Sequence, residues 1–123
     1  MILAGLRIEY YLPAGGISIG LSADGSGNQT IRRISPARVV TTLTGTPGRS
    51  GSKDGTNDDA LFSNPRGIAV DSSTNVYVAD SANSTIRRPV QVGTNWVVTT
   101  LAGSPSQNGC IDGVGSAATN NYR

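Results

Sequence analysis

No histidine occurs anywhere in the chain, which removes the commonest general base and the commonest zinc ligand together. The single cysteine, Cys110, excludes an internal disulfide framework. It sits beside Gly109 with no neighbouring cation to make it a reactive thiolate, and reads as an incidental free thiol. Nowhere do about 18 apolar residues run together, the length a membrane-spanning helix needs. The N-terminal Met1–Leu6 is apolar but meets Arg7 and Glu9 before a signal-peptide core could form. No leader and no membrane span are therefore expected, and the compartment stays open. Excess charge is lacking too: ten Lys and Arg against eight Asp and Glu give +2, too mild to imply nucleic acid. Helix signals are missing, because no window is amphipathic and Gly or Pro interrupts nearly every dozen residues.

What is present is the chemistry of short strands and tight turns: sixteen glycines with many Thr, Val, Ser and Asn. Leu6, Ile8, Tyr10 and Leu12 alternate with Arg7, Glu9 and Tyr11, the period of a half-buried strand. Pro13–Gly16 is a turn, Ile17, Ile19 and Leu21 alternate again, and Asp24–Gly27 turns once more. Thr30–Ile34 and the β-branched Val39–Leu43 complete a four-stranded meander, joined through Ser35–Arg38. A polar connection follows, and four further strands are expected around Ile68–Val70, Val76–Val78, Thr85–Arg88 and Trp96–Leu101.

The second half repeats the first. Asn28-Gln29-Thr30-Ile31-Arg32-Arg33 returns as Asn83-Ser84-Thr85-Ile86-Arg87-Arg88, and Val39-Val40-Thr41-Thr42-Leu43-Thr44-Gly45 as Val97-Val98-Thr99-Thr100-Leu101-Ala102-Gly103. Asp54-Gly55 returns as Asp112-Gly113. The spacing grows only where Gly93-Thr94-Asn95 lengthens a turn, which is how repeated β units vary.

Pro65-x-Gly67-Ile68-Ala69-Val70-Asp71, Asn75-Val76-Tyr77-Val78-Ala79-Asp80, Asn83-x-x-Ile86-Arg87 and Val98-Thr99-Thr100-Leu101-Ala102-Gly103 together resemble the NHL repeat. So does Asp54-Gly55…Ala60-x-Phe62-x-x-Pro65, which looks like that family's inter-blade segment. The resemblance runs from about residue 28 to 118 and fades outside. It implies an all-β chain of antiparallel four-stranded β-propeller blades, two per chain. Residues 1–44 form a degenerate first blade, 45–63 the inter-blade connection, 64–103 the second blade, and 104–123 an inter-blade tail.

Two such units are too few. Repeated sheets bury a continuous core only by stacking, and about three are needed for stability. Ile68, Val70, Val76, Val78, Ile86 and Leu101 are expected to stay partly wet in a lone pair. A few hundred Å² of exposed apolar surface, at about 25 cal/mol per Å², costs several kcal/mol. Two readings stand: three copies close a six-bladed ring, within the usual range of about four to eight blades, or the chain is a fragment of a longer propeller.

The candidate chemistry is sparse. Asp54, Asp58, Asp59 and Asn57 offer hard oxygen ligands in one loop, but the spacing is not that of a Ca²⁺ loop and no glutamate closes it; a solvated turn is the simpler reading. Asp71 and Asp80 end two strands, and either can pair with Arg87 as a structural clamp. Arg32, Arg38, Arg66 and Arg88 are candidates for a basic face, since some NHL propellers bind RNA; scarce aromatic platforms count against it. Peptide-amidating lyase propellers carry channel histidines, which this chain lacks. Asn28 and Asn83 begin N-glycosylation patterns that the repeat itself accounts for. No catalytic residue, metal ligand or cofactor site is expected. The function that follows is a non-catalytic binding or scaffold module, with a protein or glycan partner or further copies of itself.

Overall fold

A computed structural model describes residues 6–11, 17–22, 28–34, 37–71, 75–105, 107, 109 and 112–118, with β1 and β2 described by their backbone. The turns expected at Pro13–Gly16 and Asp24–Gly27, the thiol of Cys110 and the last residues of the tail lie outside that set. The first sheet is a meander of β1 (Leu6–Tyr11), β2 (Ile17–Ser22), β3 (Ile31–Ile34) and β4 (Val40–Thr44), each antiparallel to the next. The second contains β6 (Pro65–Val70), β7 (Val76–Asp80), β8 (Thr85–Val92) and β9 (Asn95–Gly103), again in sequence order. Its outer edge is extended by a two-residue strand, β5 (Gly55–Thr56), which pairs with β9 and covers part of an edge that would otherwise be bare. The only helical elements among the described residues are single 3₁₀ turns at Asn57–Asp59, Ser81–Asn83 and Gly115–Ala117.

The repeat is written into the backbone as well as the sequence. A β-bulge separates Ile31 from Arg32 in the first sheet and Ile86 from Arg87 in the second. Left-handed residues recur at matching places: Gln29 and Ser84, Arg38 and Gly93, Gly45 and Gly103, Asn57 and Gly115. Such conformations cost a non-glycine residue about 1 kcal/mol or more, so their recurrence marks turns whose shape the sheet dictates. At Gly45 the demand is absolute, because with φ at +94° an added Cβ would lie 2.6 Å from the Gln29 carbonyl oxygen.

The sheets stack with β1 and β2 against β6, like neighbouring blades of a propeller. The core between them is small: Ile31 from the first sheet, Ala60 and Phe62 from the connection, and Ile68, Val76, Val78 and Val98 from the second, with Leu43 and Trp96 at its margin. Two expectations change here. The connection is not merely solvated, since Ala60 and Phe62 are fully buried and Phe62 bridges to Ser50. Nor are the apolar residues of the second sheet uniformly wet. Strand alternation divides them into two faces: Ile68, Val76 and Val78 point at the first sheet and are buried, whereas Ile86 lies on the opposite face and Leu101 is 44% exposed.

Candidate functional site: a buried arginine clamp and an open sheet face

Arg87 is the largest fully buried side chain among the described residues. A lone guanidinium in such a place would be prohibitively costly, and the surroundings supply compensation from three segments. Nη1 donates to Asp80 Oδ2 (3.0 Å) and to the Leu61 carbonyl (2.7 Å); Nη2 donates to Asp54 Oδ1 (2.9 Å) and to the Lys53 carbonyl (2.9 Å). The guanidinium carbon lies 4.9 Å from the centre of the Phe62 ring, a cation–π contact. The pairing with Asp80 is therefore through a single bond, and the second carboxylate is Asp54, which the sequence reading placed in a solvated loop.

Each acid is held in turn. Asp80 accepts from the Ser63 amide (2.8 Å) and from Asn83 Nδ2 (2.7 Å), while Asn83 also donates to the Gly51 carbonyl (2.8 Å). Burial pushes the Asp80 carboxyl up from the ordinary carboxylate range, and the donors from Asn83, Ser63 and Arg87 pull against it without cancelling it. Asp54, half exposed, accepts from the Thr100 amide and hydroxyl on β9. The cluster thus locks the inter-blade connection onto β7, β8 and β9. Asn83, buried with its amide engaged, is closed to glycosylation in the folded chain, whereas Asn28 is exposed.

Asp71 stands with a different set. It accepts from the Asn75 amide and side chain (both 2.9 Å) and from the Tyr77 hydroxyl (3.3 Å), and Asn75 Oδ1 accepts from Arg88 Nη2 (2.8 Å). That network closes the β6–β7 turn and fastens it to β8. The candidate basic residues are dispersed: Arg32 on β3, Arg38 in the β3–β4 turn, Arg66 on β6, and Arg88 tied to Asn75. Among the described residues no three His, Cys, Asp or Glu side chains stand together as metal ligands do, and the Asp54 carboxylate is already committed to Arg87 and Thr100.

Asn57 joins the two sheets, a role that sequence reasoning missed. Its carbonyl accepts from Thr44 Oγ1 (2.7 Å) and the Gly45 amide (3.2 Å). Its side chain accepts from the Trp96 amide (2.8 Å) and donates to Asn95 (3.0 Å). Beside it opens a cleft of about 700 Å³ between β4 and β9, where Arg33, Asp58, Gln91 and Thr94 surround Trp96.

Among the described residues the second sheet's far face is only partly covered: Ala69 is exposed, and Tyr77, Ala79 and Ile86 are half-buried. Gly67, Ile68, Ala69, Tyr77, Ala79 and Ile86 line a shallow recess of about 260 Å³ there. The face continues outward along β8 through Val90 and Val92, which are 37% and 58% exposed.

Residues 62–88 match the NHL repeat. Over 63 residues, half of the chain, the sequence is 41% identical to the chloroplastic protein SUPPRESSOR OF QUENCHING 1 of Arabidopsis thaliana, of which it spans 6%. Two solved structures from Bacteroides thetaiotaomicron share the fold. One is a structural-genomics protein of unknown function, with a TM-score of 0.73 at 25% identity, covering 86% of this chain and 26% of that one. The other is an auxiliary nutrient binding protein, with a TM-score of 0.69 at 23% identity, covering 94% of this chain and 30% of its own.

Proposed function

From a chain that carries an NHL repeat at residues 62–88, we propose a non-catalytic binding or scaffold module, built of propeller blades and completed by further blades stacked on its second sheet. The observation that supports this reading is the contrast between the two faces of that sheet. One face is buried against the first sheet over Ile68, Val76 and Val78; on the other, among the described residues, Ala69 is exposed and Tyr77, Ala79 and Ile86 are half-buried around a shallow recess. The two sheets are repeats of one another, so the partly covered face has the shape that already receives a neighbour once in this chain. The strongly placed charges support the non-catalytic part: Asp54, Asp80 and Arg87 neutralise one another inside the fold.

Three copies close a ring of six blades, within the usual range of about four to eight. Light scattering across a concentration series tests it: a species of three times the 12.6 kDa chain is expected. A cooperatively folded monomer at every concentration would overturn it. A partner seated in the cleft beside Trp96, the single tryptophan, changes its fluorescence on binding.

A further inference from the structure

Resting on that assembly reading, we propose that copies of the chain join head to tail through a second arginine clamp, in which Asp112 of one copy engages Arg32 of the next. Arg32 holds the place of Arg87. Both follow an isoleucine across a β-bulge, and they pair with Thr42 and Thr100, which are themselves repeat counterparts. Ile31 is buried in the core facing the second sheet, and Arg33 lines the cleft beside Trp96. Alternation along β3 therefore turns Arg32 to the face that the second sheet leaves uncovered. There its Nε is buried with no hydrogen-bond partner among the described residues, as is the Nε of Arg87, whose clamp is made through Nη1 and Nη2.

Asp112 holds the place of Asp54. Each is followed by glycine and then, two residues later, by a left-handed residue: Asn57 with φ +54° and Gly115 with φ +57°. Each precedes a 3₁₀ turn, and the turn at Gly115–Ala117 lies on β9 as that at Asn57–Asp59 lies on β4. Asp112 is exposed, and among the described residues no cation reaches it.

The direction follows from the intact clamp. Asp54 leaves the first sheet and meets the third strand of the second, so Asp112, leaving the second, addresses the third strand of whatever covers the open face. Arg32 needs an acid arriving from the other side. Opposite charges on opposite flanks make a heterologous contact, the kind that builds rings or filaments.

The experiment is a charge reversal on the full chain, followed by sedimentation equilibrium at a fixed salt concentration. D112R and R32D each set like charges against one another and should weaken association by about tenfold to a hundredfold. The double variant D112R/R32D restores the pair in reversed order and should return association to within about threefold of wild type, by the same coupling logic. Urea midpoints at dilute protein show that the single variants still fold. Single variants that associate like wild type would overturn the clamp while leaving the assembly reading intact, and so would a double variant no better than the singles. Wild type that stays monomeric throughout removes the assembly reading and the clamp with it.

Discussion

Replacing Arg87 with methionine keeps a long side chain against Phe62 but removes the charge and every guanidinium hydrogen bond. Asp80 would then sit fully buried with only Ser63 and Asn83 donating to it, the Leu61 carbonyl would lose its guanidinium donor, and the Lys53 carbonyl would keep only the Leu61 amide. Stranding one partner of a buried pair costs about 3–5 kcal/mol. That is a large share of the roughly 5–15 kcal/mol that holds a domain folded. Asp54→Asn removes the other acid, but that carboxylate is half exposed, so solvent screens it and its loss is expected to cost about 1 kcal/mol or less.

The assay is urea unfolding at fixed protein concentration, since association shifts apparent stability, read by circular dichroism and Trp96 fluorescence. With a slope near 2 kcal/mol/M, Arg87→Met should lower the midpoint by about 2 M and Asp54→Asn by a quarter of that or less. A second variant, Asp80→Asn with Arg87→Met, should recover part of the loss, because no buried charge is then left alone. If Arg87→Met lies within about 1 kcal/mol of wild type, or costs no more than Asp54→Asn, the buried pair does not carry the connection and the reasoning fails.

Other outcomes follow from single residues. Asn57→Ala loses the side-chain bonds to Trp96 and Asn95 in a left-handed conformation, at about 2 kcal/mol, whereas Asn57→Gly keeps the conformation and should recover about half, judged from thermal midpoints. Gly45→Ala places a Cβ 2.6 Å from the Gln29 oxygen and should lower the midpoint far more than Gly93→Ala, whose site is open at a similar left-handed φ. Asp80 binds its proton more readily folded than unfolded, so from an unfolded value of about 3.9 up to its raised folded one the native state holds the extra proton. Stability from this group is greatest below that window and declines as pH rises through it. Asp80→Asn should abolish that decline in urea midpoints taken from pH 4 to 7.

The strands were legible because their signals are local. Alternation, turn residues and a direct repeat fix where each one lies, and the Asp80–Arg87 contact followed from two residues on successive strands of one hairpin. What stayed hidden is non-local. Asp54 and Asn57 reach Arg87, Thr100 and Trp96 only after the connection folds back across the sheet edge, and a loop of Asp, Asn and Gly carries the same letters whether it is solvated or locked. Phe62 could have given the signal: the chain's single phenylalanine, placed in a polar stretch, has nowhere to go but inward, and whatever surrounds it must be held there too. The division of apolar residues between a buried and a partly covered face was hidden for the opposite reason. Alternation says that Ile68 and Ile86 belong to opposite faces, but not which face meets a neighbour from the same chain. That depends on the order of stacking, and the buried guanidinium records it here: Arg87 takes Asp54 from the connection that leaves the first sheet and Asp80 from its own sheet.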